Sequence, residues 1–128
     1  MPISLIAALA ELSTLNQSVA SSVDRTDVLV FDDEDPPYFQ LSNAAYLVDA
    51  LAADDAPPIR ENLNRLLAVL ERYFLGGDPQ LVNEMRAGFL ESLKTPAERP
   101  SIATGDIAAL MPERLRAEYL KEMERYPI

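Results

Sequence analysis

The residues best suited to chemistry are four consecutive carboxylates, Asp32-Asp33-Glu34-Asp35, in the stretch VFDDEDPPYF. Adjacent acids repel one another, so neutralising the charge of this run lowers the free energy of the protein. Their oxygens suit a hard cation such as Ca²⁺ or Mg²⁺, but the alternating ligands and central glycine of a calcium loop are missing. The run could also face a basic protein, or form a solvated loop with no partner.

The negative charge of the chain is concentrated around this run. Residues 24–55 contain nine acids and one base, which gives −8 of the total net charge of −10. Residues 56–128 contain 11 acids and 10 bases and are therefore nearly neutral. A local negative field of this kind raises the rate of encounter with a basic protein. It argues against nucleic acid and anionic membrane surfaces as partners.

Histidine and cysteine are both absent from the sequence. Their absence removes disulfides, most zinc and copper sites, cysteine nucleophiles and all imidazole acid-base chemistry. We therefore expect no catalytic residue, no metal and no other cofactor, and we predict that the protein is not an enzyme.

The length and hydropathy of the chain predict one domain over residues 1–128, located in the cytoplasm. At 128 residues the chain can bury a single core, and no apolar run approaches the about 20 residues needed to span a bilayer. The N-terminal segment MPISLIAALAELSTL lacks a basic leader, and Glu11 interrupts its apolar stretch. We interpret it as a helix of the folded protein.

Apolar residues recur at three- and four-residue spacing, which predicts an all-α bundle of about five helices. Ser42 or Asn43 is the predicted N-cap of the second helix. The segment before it, which contains Pro36-Pro37, is predicted to be an irregular acidic excursion between the first two helices, either extended or a single turn. Gly76-Gly77 is expected to end the third helix in a left-handed conformation, and Asp78-Pro79 to start the fourth. The predicted helices cover about residues 3–20, 42–53, 58–75, 78–93 and 112–125.

Gly88 falls on the apolar face of the fourth predicted helix. A glycine there lets another backbone approach closely, and we expect the third helix to be that neighbour.

The segment LLAVLERYFLGGDPQLVNEMRAGFLESL, residues 66–93, resembles a bacterial family of small acidic proteins. The shared pattern is Gly77-Asp78, then Asn83, then the sequence Gly-Phe-Leu-Glu-x-Leu at residues 88–93. Such proteins look like the immunity partners encoded beside toxins of contact-dependent inhibition and type VI secretion systems. The resemblance implies a helical fold and a toxin-binding role. The run DDEDPP lies outside the shared pattern.

The resulting hypothesis is an immunity or inhibitor protein that occludes a basic surface of a cognate toxin. In this hypothesis the run of four acids supplies the charge, and a second pair of acids flanks that run. An aromatic residue after the prolines is the buried anchor that slows dissociation. The competing hypothesis is a helical regulatory module that self-associates, which implies a homodimer. The expected contact residues are Asp32, Asp33, Glu34, Asp35, Tyr38, Asp54 and Asp55, with Phe39 as the alternative anchor.

Overall fold

The fold is all-α, as the periodicity predicts. The computed structural model of the protein describes residues 2–20, 37–52, 56–93 and 104–125. Among these residues there is no strand, only one bridge between Ile3 and Gly77. The helices are α1 (Leu5–Ala20), α2 (Pro37–Ala52), α3 (Pro57–Gly76), α4 (Pro79–Glu84, continued by a π-helical segment Met85–Leu90 and by Glu91–Leu93), α5 (Thr104–Ala109) and α6 (Glu113–Arg125).

Helix α2 is the centre of the fold and packs against α1, α3 and α4. Between residues 40 and 52 all positions are buried except Tyr46, which is exposed, and Asp49, which is half-buried. The predicted start of this helix at Ser42 or Asn43 is wrong, because the helix begins five residues earlier, at Pro37. Proline is compatible with a first helical turn, where its missing N–H has no intrahelical acceptor.

Ser42 and Asn43 therefore lie inside α2 and are buried, instead of capping it. The Ser42 hydroxyl lies 2.6 Å from the hydroxyl of Ser92 in α4. This contact satisfies a buried polar group by a partner 50 residues away in the sequence. The same residue types that favour N-caps are here part of a helix–helix contact.

Helix α1 runs antiparallel to α3. At its start, the Ile3 N–H donates to the Gly76 carbonyl oxygen at 2.7 Å, and the Asp78 N–H donates to the Ile3 carbonyl oxygen at 2.8 Å. Further along α1, the Tyr73 hydroxyl lies 3.0 Å from the carbonyl oxygen of Ala8 and 2.7 Å from the carboxylate of Glu11. These bonds fix α1 on the junction between α3 and α4.

The junction between α3 and α4 starts the fourth helix as predicted. Asp78 is the N-cap and its carboxylate accepts from the Leu81 N–H at 2.8 Å, with Pro79 in the first turn. The predicted left-handed glycine is wrong, because Gly77 is extended, with φ −76° and ψ 152°. Glycine is needed for space instead: a Cβ at Gly77 would lie 2.3 Å from the Tyr73 carbonyl oxygen.

The π-helical segment of α4 places Met85, Gly88, Phe89 and Leu90 in the core. Gly88 is on a buried face, as predicted, but its neighbour is α2 and not α3. A Cβ built at Gly88 would lie 2.8 Å from the Leu41 Cβ. The close approach therefore belongs to the contact between α4 and the central helix.

Helix α5 is a short element that the periodicity did not indicate, and it is held by α6. The Arg116 guanidinium donates to the carbonyl oxygens of Ala108 at 3.0 Å and Met111 at 2.7 Å. A cation at the C-terminal end of a helix binds its unpaired carbonyls and complements the helix dipole. Arg116 thus joins α5 to the final helix.

Candidate functional site

The expected contact residues belong to two groups attached to opposite ends of α2. Asp32 to Asp35 precede the first residue of α2, Pro37, and Asp54 and Asp55 follow its last residue, Ala52. A helix of 16 residues is about 24 Å long. The two groups of acids are therefore attached in sequence to helix ends that lie about 24 Å apart.

Of the seven expected contact residues, only Tyr38 belongs to a described helix. It is in the first turn of α2, and its side chain lies outside the described part of the structure, as does that of Phe39. The acidic residues of the prediction also lie outside the described residues: Asp32, Asp33, Glu34, Asp35, Asp54 and Asp55.

The ends of α2 differ in their effect on neighbouring acids. A helix N-terminus carries partial positive charge, which favours the acids that precede Pro37. The C-terminus carries partial negative charge and disfavours Asp54 and Asp55, although these also directly precede the N-terminus of α3. Ala56, the N-cap of α3, makes no side-chain capping bond.

The N-terminal half of α2 is positioned by buried amides that the sequence analysis missed. Asn16 of α1 donates through Nδ2 to the Gln40 carbonyl oxygen at 3.3 Å, and both residues are fully buried, as is Asn43. The signal for this contact was present in the sequence: Asn16 lies four residues after Leu12 and three before Val19, on the apolar stripe of α1. A polar residue on such a stripe indicates a specific buried partner.

Arginines outside the segment around α2 bind carboxylates of the helical body, the name used here for α1 and α3 to α6. Arg86 of α4 binds the carboxylate of Glu118 in α6 through contacts of 3.3 and 3.4 Å, and Arg114 binds it at 3.2 Å. Burial by itself raises the pKa of Glu118, but Arg86, with Arg114 and Lys121, outweighs burial and holds that pKa below its ordinary value. Glu118 is thus ionised and joins α4 to α6.

A second ion pair joins α1 to α3. Arg72 donates to the Glu11 carboxylate, and the Tyr73 hydroxyl lies 2.7 Å from the same oxygen. The hydrogen bond from Arg72 lowers the pKa of Glu11 against the opposing effect of burial, and Tyr73 lowers it further. Burial, followed by the bond to Glu11, raises the pKa of Tyr73, which therefore stays protonated and can donate.

Two further properties of the described residues bear on the kind of site. Within them, no group of three or more His, Cys, Asp or Glu residues is arranged to hold a metal ion. The alternative of a cation at Asp32 to Asp35 concerns residues outside that set. None of the described helices combines the length and hydropathy required to cross a bilayer.

Comparison with known proteins gives a family and no activity. No curated protein and no solved structure gives a significant match to the chain. One family model, described as a domain of unknown function (DUF7674), matches residues 10–126. Because this match begins within α1 and takes in α2 to α6 completely, the chain belongs to the DUF7674 family.

Proposed function

We propose that the protein is a non-enzymatic immunity or inhibitor protein, acting in the bacterial cytoplasm, that binds a basic surface of a cognate toxin. The resemblance of residues 66–93 to immunity partners of secreted toxins suggests the role. The distribution of charge suggests how the role is performed. In this proposal the acidic runs attract the toxin, and Tyr38 supplies the contact that slows its dissociation.

The observation that carries the proposal is the separation of charge between two parts of the chain. The segment around α2, residues 24–55, has a net charge of −8, whereas residues 56–128 have −1. In the helical body, the carboxylates of Glu11 and Glu118 bind arginines of that body. Arg72, Arg86 and Arg114 are therefore paired with acids of that body, and the excess of acid is in the segment around the central helix.

The element nearest to both acidic runs in the sequence is the buried helix α2. Asp35, the last acid of the first run, and Asp54, the first acid of the second, are each two residues in sequence from an end of α2, a helix held by burial on nearly all sides. Charged groups tethered to a rigid element lose less conformational entropy on binding than groups on a long free segment. A basic surface, such as the phosphate-binding surface of a nuclease toxin, is complementary to such a field.

The proposal is tested by neutralisation in cells. The proposal expects a gene for a secreted toxin next to the gene for this chain. The toxin domain from that neighbouring gene is expressed in a sensitive bacterium, with and without the chain, and colony survival is measured. Co-expression of the chain should restore growth. A domain that remains fully toxic in the presence of folded chain would contradict the immunity role.

A matched pair of charge variants tests which acids are responsible. One variant carries Asp32→Asn, Asp33→Asn, Glu34→Gln and Asp35→Asn. The control carries Glu61→Gln, Glu91→Gln, Glu113→Gln and Glu124→Gln, which removes the same charge from exposed positions of the helical body. We expect the first variant to protect poorly and the control to protect as the wild type does. Equal protection by both would show that the acidic run is not the contact.

A further inference from the structure

Tyr46 is an exposed aromatic residue on a helix that is otherwise buried. Helix α2 packs against α1, α3 and α4, and between residues 40 and 52 only two of its side chains reach solvent. Tyr46 is 56% exposed, and Asp49, three residues later, is half-buried. Because residues three apart lie on the same face of a helix, these two side chains form one narrow strip that faces solvent.

The position of Tyr46 distinguishes it from the other exposed apolar residues of the described chain. Single exposed apolar residues are ordinary on protein surfaces. Ile6, Leu75 and Leu120 are such residues, and they belong to α1, α3 and α6 of the helical body. Tyr46 alone among these four lies in the segment of net charge −8, residues 24–55.

Along the axis of α2, Tyr46 lies between the two helix ends to which the acids are attached in sequence. At 1.5 Å per residue it is about 14 Å from Pro37 and about 9 Å from Ala52. The acids at positions 32–35 precede Pro37, and those at positions 54–55 follow Ala52. A basic surface attracted to both ends of α2 is therefore brought over the strip that contains Tyr46.

We propose that Tyr46 is a second anchor of the toxin contact, beside Tyr38. The inference deepens the proposed function and rests on it. Protein interfaces concentrate their binding energy in a few residues, often aromatic, which are surrounded by a polar rim. Here the ring of Tyr46 is the centre of the contact, and the acids attached to the two ends of α2 are its rim.

The chemistry of the side chain suits a basic partner. The face of a tyrosine ring attracts lysine and arginine side chains, and more strongly where water is excluded. Tyrosine also offers a large contact area while only two side-chain torsions are fixed on binding. The expected occupant of this surface is therefore a lysine or arginine of the toxin that stacks on the ring of Tyr46.

The test is the dissociation rate of the complex with the toxin domain from the neighbouring gene, prepared in an inactive form. Tyr46→Ala should raise this rate by roughly thirtyfold, the value that corresponds to a binding hot spot. Tyr46→Phe retains the ring and should stay close to the wild type, whereas Tyr46→Leu retains apolar area without the ring and should resemble Tyr46→Ala. The ratio of variant to wild-type rates should change little with salt, because the contact acts at short range.

Leu75→Ala is the matched control, because it removes an exposed apolar side chain from the helical body. It should dissociate as the wild type does. All variants should fold, since both positions are exposed, and urea unfolding checks this.

The outcomes separate this inference from the function on which it rests. Equal dissociation rates for wild type and Tyr46→Ala, with both bound to the toxin domain, would overturn the role of Tyr46 and leave the immunity function standing. Equal acceleration by Tyr46→Ala and Leu75→Ala would also overturn it, because the effect would not be specific to α2. A toxin domain that does not bind the wild-type chain would overturn the proposed function and this inference with it.

Discussion

Gly88 shows how a single missing side chain sets the distance between two helices. The residue is buried in the π-helical segment of α4, and a Cβ there would lie 2.8 Å from the Cβ of Leu41. Because the clashing atom is a Cβ fixed to the backbone of α2, rotation of the Leu41 side chain cannot relieve it. Only a movement of one helix away from the other could accommodate a larger residue.

Gly88→Leu should therefore destabilise the protein by about 1–3 kcal/mol or more, through overpacking of the α2/α4 contact. The measurement is the free energy of unfolding in urea. Ala87→Leu, at the exposed neighbouring position, is the control for the change in composition. An unchanged midpoint for Gly88→Leu would mean that α2 and α4 do not approach each other at this residue.

Glu118 is the carboxylate whose ionisation should contribute most clearly to stability. Its side chain is 10% exposed and binds Arg86 and Arg114. Its pKa in the folded protein lies below the ordinary value of 4.5. The contribution is then fully present above about pH 4.5 and is lost as pH falls through the folded pKa.

Glu118→Gln should lower the free energy of unfolding by roughly 1–2 kcal/mol at pH 7. It should also reduce the dependence of stability on pH below about 4.5, because the amide does not titrate. Urea unfolding at several pH values checks both results. Some dependence should remain in the variant, since the pKa of Glu11 is lowered too. Parallel pH profiles for wild type and variant would contradict the role of Glu118.

At the scale of elements, α6 depends on a cap supplied by another helix. Met111-Pro112 precede its first residue and contain no capping side chain. Instead, the carboxylate of Glu71 in α3 accepts from the Arg114 N–H at 3.0 Å and from the Leu115 N–H at 2.6 Å. A carboxylate at this position satisfies two unpaired donors and complements the helix dipole.

Glu71→Ala should cost about 1–2 kcal/mol, comparable to the loss of an N-cap. The effect should be local, with faster amide hydrogen exchange in the first turn of α6 than in the wild type. Glu61→Ala removes an exposed acid from the same helix and is the control. Exchange rates that do not change at Arg114 and Leu115 would show that Glu71 is not the cap.

At the scale of the whole molecule, the separation of charge predicts how a basic partner associates. Long-range attraction acts mainly on the association rate and is screened by salt. If the partner is the proposed toxin, replacing the acids at positions 32–35 by amides should lower the association rate by roughly tenfold at low ionic strength. It should also flatten the salt dependence of that rate. Stopped-flow measurements over a range of salt concentrations provide the test.

The stability of this variant distinguishes the remaining interpretations. If the acids serve a partner, the free energy of unfolding should stay constant or rise slightly, because repulsion within the run is relieved. An unchanged association rate would support a solvated loop. Loss of folding would mean that these acids stabilise the helices themselves, and the assignment of the contact would fail.

The sequence by itself determined the features that are encoded within a few neighbouring residues. Periodicity located α1, α3, α4 and α6, since the apolar face of a helix repeats every three to four residues. The N-cap of α4 was readable because Asp78 and Pro79 are adjacent to the helix they start. The concentration of acid in residues 24–55 is likewise a property of composition alone.

Only the tertiary structure decided which residues meet across long separations. Glu71 caps α6 through Leu115, 44 residues away, and Gly88 meets Leu41 of α2. Contacts between distant parts of the chain also explain why periodicity did not predict that α2 starts as early as Pro37. A helix buried on nearly all sides lacks a one-sided apolar stripe, and it is stabilised by packing against three other helices, which local sequence does not specify.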